Sequence, residues 1–264
     1  MTVISTDGLA VPRPVRSPFL PAAHGFFTRQ GGVSGGPFAS LNCSLSGQDS
    51  RAAVLENRAR AARAVGAAPD RLVGLTQVHG AEAIRVESAW KPGEGPRGDA
   101  MATDRPGIAL GIVTADCAPV LFADPCARVI GAAHAGWRGA VSGVLEATIA
   151  TMVTLGASGS RIVGVIGPCI AQASYEVGPD LRDSLLARDA ADARFFSTGR
   201  QAQRWQFDLA GYCAARLASA GIGRVEVISA DTVADDARFF SHRRRTLAGG
   251  GPIGHQISII ALPG

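Results

Sequence analysis

The chain has 264 residues, 47% hydrophobic and 18% charged, which is a globular rather than a disordered composition and is long enough to bury a sizeable core. The formal net charge is +4, too small to name nucleic acid as a partner, and Lys91 is the only lysine among 26 Lys+Arg, so Schiff-base chemistry has one poorly desolvated candidate. No apolar run is long enough for a membrane span, and the first twelve residues lack the basic n-region of a signal peptide, so the expected location is cytoplasmic.

Residues 1–22 read as an irregular, proline-rich lead-in, and 23–264 as a single catalytic α/β domain. A short strand, His24–Thr28, is followed by the glycine-rich loop RQGGVSGGPF and by Ser40–Ser44. Asp49 is expected to cap a helix from Ser50 to about Val65, with Val54, Ala61 and Val65 on one face. Ala83–Glu87 reads as a strand and Lys91–Asp99 as a loop. Gly107–Ala115 is a continuous apolar run, as in a strand buried on both faces, and it ends at Asp116-Cys117. Val120–Ala123 is a second apolar run, and Arg128–Ala133 a strand ending at His134. Gly136–Gly139 then opens a helix in which Val141, Val144, Leu145, Thr148, Ile149, Met152 and Val153 recur at helical spacing up to Gly156. Strands are expected at Arg161–Ile166, Arg224–Ile228 and Gln256–Leu262, and helices at Asp180–Asp189 and Asp208–Ala220. Strands alternate with helices, but some strands follow one another directly. This pattern predicts a three-layer α/β/α domain with a mixed sheet.

Five cysteines, an odd number without a CxxC pair, argue against a disulfide framework. No two of the five histidines are close enough to share a helical turn, so a metal site would have to be assembled from distant segments. His79, Cys117 and His134 all fall at ends of predicted elements, where sites form in open α/β folds. Two imidazoles and a thiolate make a catalytic zinc set with one open position, and copper accepts the same donors. Asp116 is the expected orienting group for an imidazole. Cysteines after apolar strands also serve as small core residues, and turn histidines are often simply solvated, so residue types and spacing leave both readings open. Cys126, Cys169 and Cys213 read as structural. The start of the helix after His134, with Arg138, offers an anion site beside the three residues.

Taken together, TRQGGVSGGPFASLN, TQVHG, the segment from GDAMATD to ADCAPVLFAD, AAHAGWRG, IGPCI and FFSHRR resemble the family known as multicopper polyphenol oxidases or laccase-like proteins, later described as purine nucleoside phosphorylases with adenosine deaminase activity. The resemblance runs from about Phe26 to Leu262. It implies an α/β fold like that of cysteine-hydrolase toxins. It also implies that His79, Cys117 and His134 bind zinc, or copper, and form the active site. Arg29 and Asn42 follow as pocket residues, and purine nucleosides with phosphate as small-molecule partners. Two departures from the family pattern stand at His242, where tyrosine is usual, and at His255, where arginine is usual.

A blue four-copper oxidase needs about ten histidines, many in His-x-His pairs, against five unpaired ones here. The usual zinc-deaminase signature, His-x-Glu with Pro-Cys-x-x-Cys, is also absent. Of the activities the resemblance implies, the expected one is purine nucleoside phosphorolysis on adenosine, inosine or methylthioadenosine, with adenosine deamination alongside, and Arg29 and Arg138 are expected to hold phosphate. The alternatives are a copper-dependent polyphenol oxidase, a cysteine-dependent amidohydrolase that edits cell-wall precursors, and a non-catalytic metal-binding protein. The sequence leaves the oligomeric state open.

Overall fold

The computed structural model describes residues 11–264, so the first ten residues of the predicted lead-in lie outside the described residues. In chain order the strands and helices begin with β1 (Ala23–Phe26), α1 (Arg51–Ala64), β2 (Leu72–Val73), β3 (Ala83–Arg85), β4 (Ala100–Thr103), β5 (Ala109–Thr114), β6 (Ala118–Asp124) and β7 (Val129–Ala135). They continue with α2 (Trp137–Ser142), α3 (Val144–Thr154), β8 (Val163–Ile166), β9 (Glu176–Val177), α4 (Pro179–Leu186), β10 (Phe196–Thr198) and β11 (Trp205–Phe207). The last four are α5 (Leu209–Ser219), β12 (Arg224–Val227), α6 (His242–Leu247) and β13 (Gln256–Ala261).

The expected α/β class and mixed strand direction hold, with helices on both outer sides. The β layer between them is doubled. One sheet has six strands in the order β12-β8-β6-β7-β4-β3, the other four in the order β1-β13-β5-β2, and β10-β11-β9 form a small third sheet. Side-chain alternation explains the stacking. Along β6, Val120 and Phe122 face the helices while Leu121 and Ala123 face the four-stranded sheet. Along β5, Leu110 and Ile112 meet that inner face, while Ala109 faces α1. Each Val, Leu, Ile or Phe among these contributes about 1.5–3 kcal/mol when fully buried. Gly131 on β7 sets how close α3 can lie, because a Cβ there would fall 2.9 Å from Met152 Sδ.

Local readings fail where tertiary context intervenes. Asp49 does not cap α1. Ser50 takes the N-cap position without a side-chain bond, and Asp49 instead accepts hydrogen bonds from Ser34 Oγ and Asn42 Nδ2. The long helix predicted from Gly139 is broken at Gly143, whose φ of +98° suits glycine, so α2 and α3 are separate and Val153 is exposed. Strand β4, built from Ala-Met-Ala-Thr, has too little β-branched character to stand out. Among the described residues no helix is long and apolar enough to cross a membrane.

Candidate metal centre and its cleft

The segment between β2 and β3 carries His79 in the left-handed region, with φ +60°, an unfavourable setting for a non-glycine residue. Asp99, just before β4, holds it there. Its fully buried carboxylate accepts hydrogen bonds from the backbone N–H groups of Val78, His79 (2.9 Å) and Gly80 (2.7 Å). The same carboxylate accepts the Nδ1–H of His134 at 2.8 Å, and the Asp99 carbonyl accepts the His134 backbone N–H. One buried acid thus fixes one histidine through its backbone and the other through its ring.

His134 lies within β7 rather than after it, opposite Pro119 of β6. Cys117 sits in the short link from β5 to β6. The donor atoms of His79, Cys117 and His134 lie within 4.8 Å of one another, His79 Nε2 and Cys117 Sγ being 3.9 Å apart. Around a tetrahedral zinc with bonds of about 2.0–2.3 Å, neighbouring donors stand roughly 3.3–3.8 Å apart, so small side-chain adjustments suffice to bind an ion. Gly136 leaves the room, since a Cβ there would come within 3.0 Å of both Cys117 Sγ and His79 Cδ2. With His134 Nδ1 engaged by Asp99, its Nε2 is the nitrogen left for a ligand. Two imidazoles and a thiol suit zinc or copper, and the residues fit such an ion.

The electrostatics favour a charged pair. Burial would raise the Cys117 thiol, but the His134 charge and hydrogen bonds from His134 and His79 outweigh it and bring the pKa down to about 6. Burial would lower His134, but the Cys117 charge and the Asp99 hydrogen bond lift it to about 9. Asp99 is itself held below its ordinary value, because hydrogen bonds from His134, Gly80 and Val78 outweigh its burial. The other buried cysteines behave oppositely: burial pushes Cys43 up to about 12 and raises Cys169 and Cys213. Cys126, read as structural, is exposed.

The three residues open on a cleft of about 410 Å³, and Trp137, Arg138, Tyr175, Arg243, His242 and His255 are among its lining. Arg138 stacks over Trp137 at 4.3 Å and Arg243 over Tyr175 at 5.4 Å. His242 and His255, the two positions read as departures from the family pattern, therefore both fall at the cleft. Burial and the charges of His134, His242 and Arg245 push His255 down to about 4. The start of α2 faces the cleft as expected, but six residues make too short a helix to hold an anion through its dipole.

The structure brings together His79, Cys117, His134 and Arg138, but not Arg29 and Asn42. Arg29 is turned away to Asp236 at 2.7 Å and lies over the Phe240 ring. Asn42 is fully buried behind the wall, where its Oδ1 accepts the N–H groups of Ser44 and His255. Asp116 orients no imidazole. It accepts Thr232 Oγ1 at 2.6 Å, Ser241 Oγ and the Arg243 N–H, and so fixes the segment that brings Arg243 and His242 to the cleft. Asp99, Trp137, Tyr175 and Arg243 were not among the residues singled out from the sequence. Asp99 stands in GDA and Arg243 in FSHRR, and both motifs carried the signal.

The structure thus defines a mixed α/β protein with two histidines and a cysteine clustered, as a candidate metal-binding group, in an arginine- and aromatic-lined cleft. More specifically, the chain belongs to the multi-copper polyphenol oxidoreductase laccase family, whose profile matches residues 23–263. It is 42% identical over 251 residues to a Deinococcus radiodurans protein named purine nucleoside phosphorylase, covering 94% of this chain and 92% of that one. It is 35% identical to Escherichia coli YfiH, also named purine nucleoside phosphorylase, over 84% of this chain and 88% of the relative. Among solved structures it is similar to Neisseria meningitidis NMB0706, with a TM-score of 0.84 and 32% identity over 96% of this chain and 100% of that one. YlmD of Geobacillus stearothermophilus gives a TM-score of 0.81 at 30% identity, over 94% of each chain. These matches bear out the resemblance read from the motifs.

Proposed function

We propose that the protein is a purine nucleoside phosphorylase of the cytoplasm that takes adenosine, inosine or methylthioadenosine and phosphate to the free base and the pentose 1-phosphate. The observation that carries this reading is a single cleft holding the His79–Cys117–His134 cluster, two aromatic side chains and two arginines. Trp137 and Tyr175 offer faces for a purine ring. Arg138 and Arg243 give the cleft the positive potential that a phosphate co-substrate and its transition state need. A phosphate oxygen forms its bond to the sugar C1′ as the C1′–N9 bond breaks; the purine keeps the electron pair and takes a proton from solvent. Bound at His79, Cys117 and His134, zinc, or copper in its place, supplies Lewis-acid chemistry beside the reacting nucleoside. Deamination of adenosine, in which water forms a bond to purine C6 and the C6 amino group leaves as ammonia, belongs to the same reading. Product analysis tests it: adenosine with phosphate should yield a free purine base and a pentose 1-phosphate, and free ribose, or equal release of free base without phosphate, would refute it.

A second reading has its own observation. Cys117, His134 and Asp99 line up as nucleophile, base and orienting acid, with the thiol down at about 6, as in cysteine hydrolases. An amidohydrolase of this kind would turn over without phosphate, stay active after chelation and die on thiol alkylation.

A further inference from the structure

A second cavity, of about 220 Å³, adjoins the metal cleft and shares Ser44, Ser46, Gln77 and Val113 with it. Glycine backbone at positions 74, 93, 95 and 111 forms part of its wall, and Arg58 of α1 lines it. Arg58 is only 6% exposed. Its Nη1 donates to the Cys43 carbonyl at 3.2 Å, whereas its Nε has no hydrogen-bond partner, and among the described residues no carboxylate pairs with it. A buried guanidinium without a counter-charge is costly, and a bound anion removes that cost. Its planar fork of N–H donors matches the oxygens of a phosphate, and the Ser44 and Ser46 hydroxyls stand in the wall that joins the two spaces.

We propose that the Arg58 cavity is a subsite for a tetrahedral oxyanion, namely inorganic phosphate, opening on the metal cleft. The choice of phosphate as occupant rests on the phosphorolysis reading, whereas the anion chemistry rests on Arg58 itself. Phosphate docked there lies beside a nucleoside in the cleft, and the cleft arginines act on the charge that develops during transfer.

The test is calorimetric titration of inorganic phosphate into the purified protein without nucleoside, with acetate as a second probe, in wild type, Arg58→Met and Ser46→Asp. Met removes the charge at similar length, and Ser46 is exposed, so a carboxylate there repels the anion even if the Met variant fails to fold. Phosphate affinity should fall about tenfold or more in each variant, as for loss of a charge-assisted hydrogen bond or gain of a like charge. In the turnover assay KM for phosphate should rise correspondingly and KM for adenosine should change little. Unchanged phosphate affinity in the folded variants overturns the subsite, and equal binding of acetate overturns its tetrahedral character. Phosphate-independent release of free base, with phosphate binding still lost in Arg58→Met, leaves the subsite standing and removes the phosphorylase reading.

Discussion

His134 and His255 line the same cleft, yet the protein holds them in opposite states. Both are taken out of water, which by itself favours neutral imidazole. His134 has the Cys117 sulfur and the Asp99 carboxylate as partners, and its pKa is lifted to about 9. His255 faces His134, His242 and Arg245, all positive when charged, and falls to about 4. Its Nδ1 has no hydrogen-bond partner among the described residues. The difference lies in the neighbours rather than in burial. One wall of the cleft holds a charged ring, and the other presents a neutral one.

The largest expected effect comes from removing the partner that makes His134 unlike His255. Cys117→Ala should abolish metal retention and lower turnover by about a thousandfold or more, read by elemental analysis and product formation. Retained activity at full metal loss would favour neither reading and would separate the histidine state from the chemistry. Asp99→Asn keeps the shape but loses the anion that gathers three backbone N–H groups and the His134 ring. Metal affinity should fall about 10–100-fold, as for outer partners of ligating histidines, and competition with a chromophoric chelator measures it.

A smaller effect sharpens the electrostatic side. In the metal-free protein with Cys126→Ser, iodoacetamide should react at Cys117 with a midpoint near pH 6, because the depressed thiol is thiolate above that value and protonates as pH falls through it. Asp99→Asn should shift this midpoint upward, since it weakens the cation at His134. A midpoint unchanged from that of an ordinary thiol would show that the charged pair does not form. The smallest effect is expected at the opposite wall. His255→Gln should alter relative KM values among adenosine, inosine and methylthioadenosine by several-fold, about 1 kcal/mol, with metal content unchanged. Loss of metal in that variant would merge the two walls into one unit.

The cluster was legible because Cys117 and His134 stand where apolar runs stop, and because the motifs around all three ligands are distinctive. The elements that carry it were mostly legible too, since β5, β7 and α5 have strong burial patterns. Asp99 was not, because its partners are 19 to 35 residues away and its role exists only once β4 lies beside β7. The expectation for Asp116 failed for a related reason: adjacency to Cys117 in sequence says nothing of direction, and a φ of +91° accompanies its bonds to Thr232 and Ser241. Arg29 stands in a matching motif, but a motif does not reveal that Asp236 takes up its charge. The doubling of the β layer was invisible because apolar runs such as that of β5 look alike whether a strand is covered by a helix or by another sheet.

That doubling has a mechanical consequence. Between β2 and β3, and again between β5 and β6, the chain steps from the four-stranded to the six-stranded sheet, and these steps carry His79 and Cys117. His134 sits on the six-stranded side. An ion gripped by all three would act as a rivet through the sandwich. Because Asp99 ties His79 and His134 to the six-stranded sheet, a slip of the four-stranded sheet would be felt first at Cys117, which follows β5 directly. Ion binding would then be coupled to the stacking of the two sheets, and a loaded centre would report that the sandwich has been assembled in register.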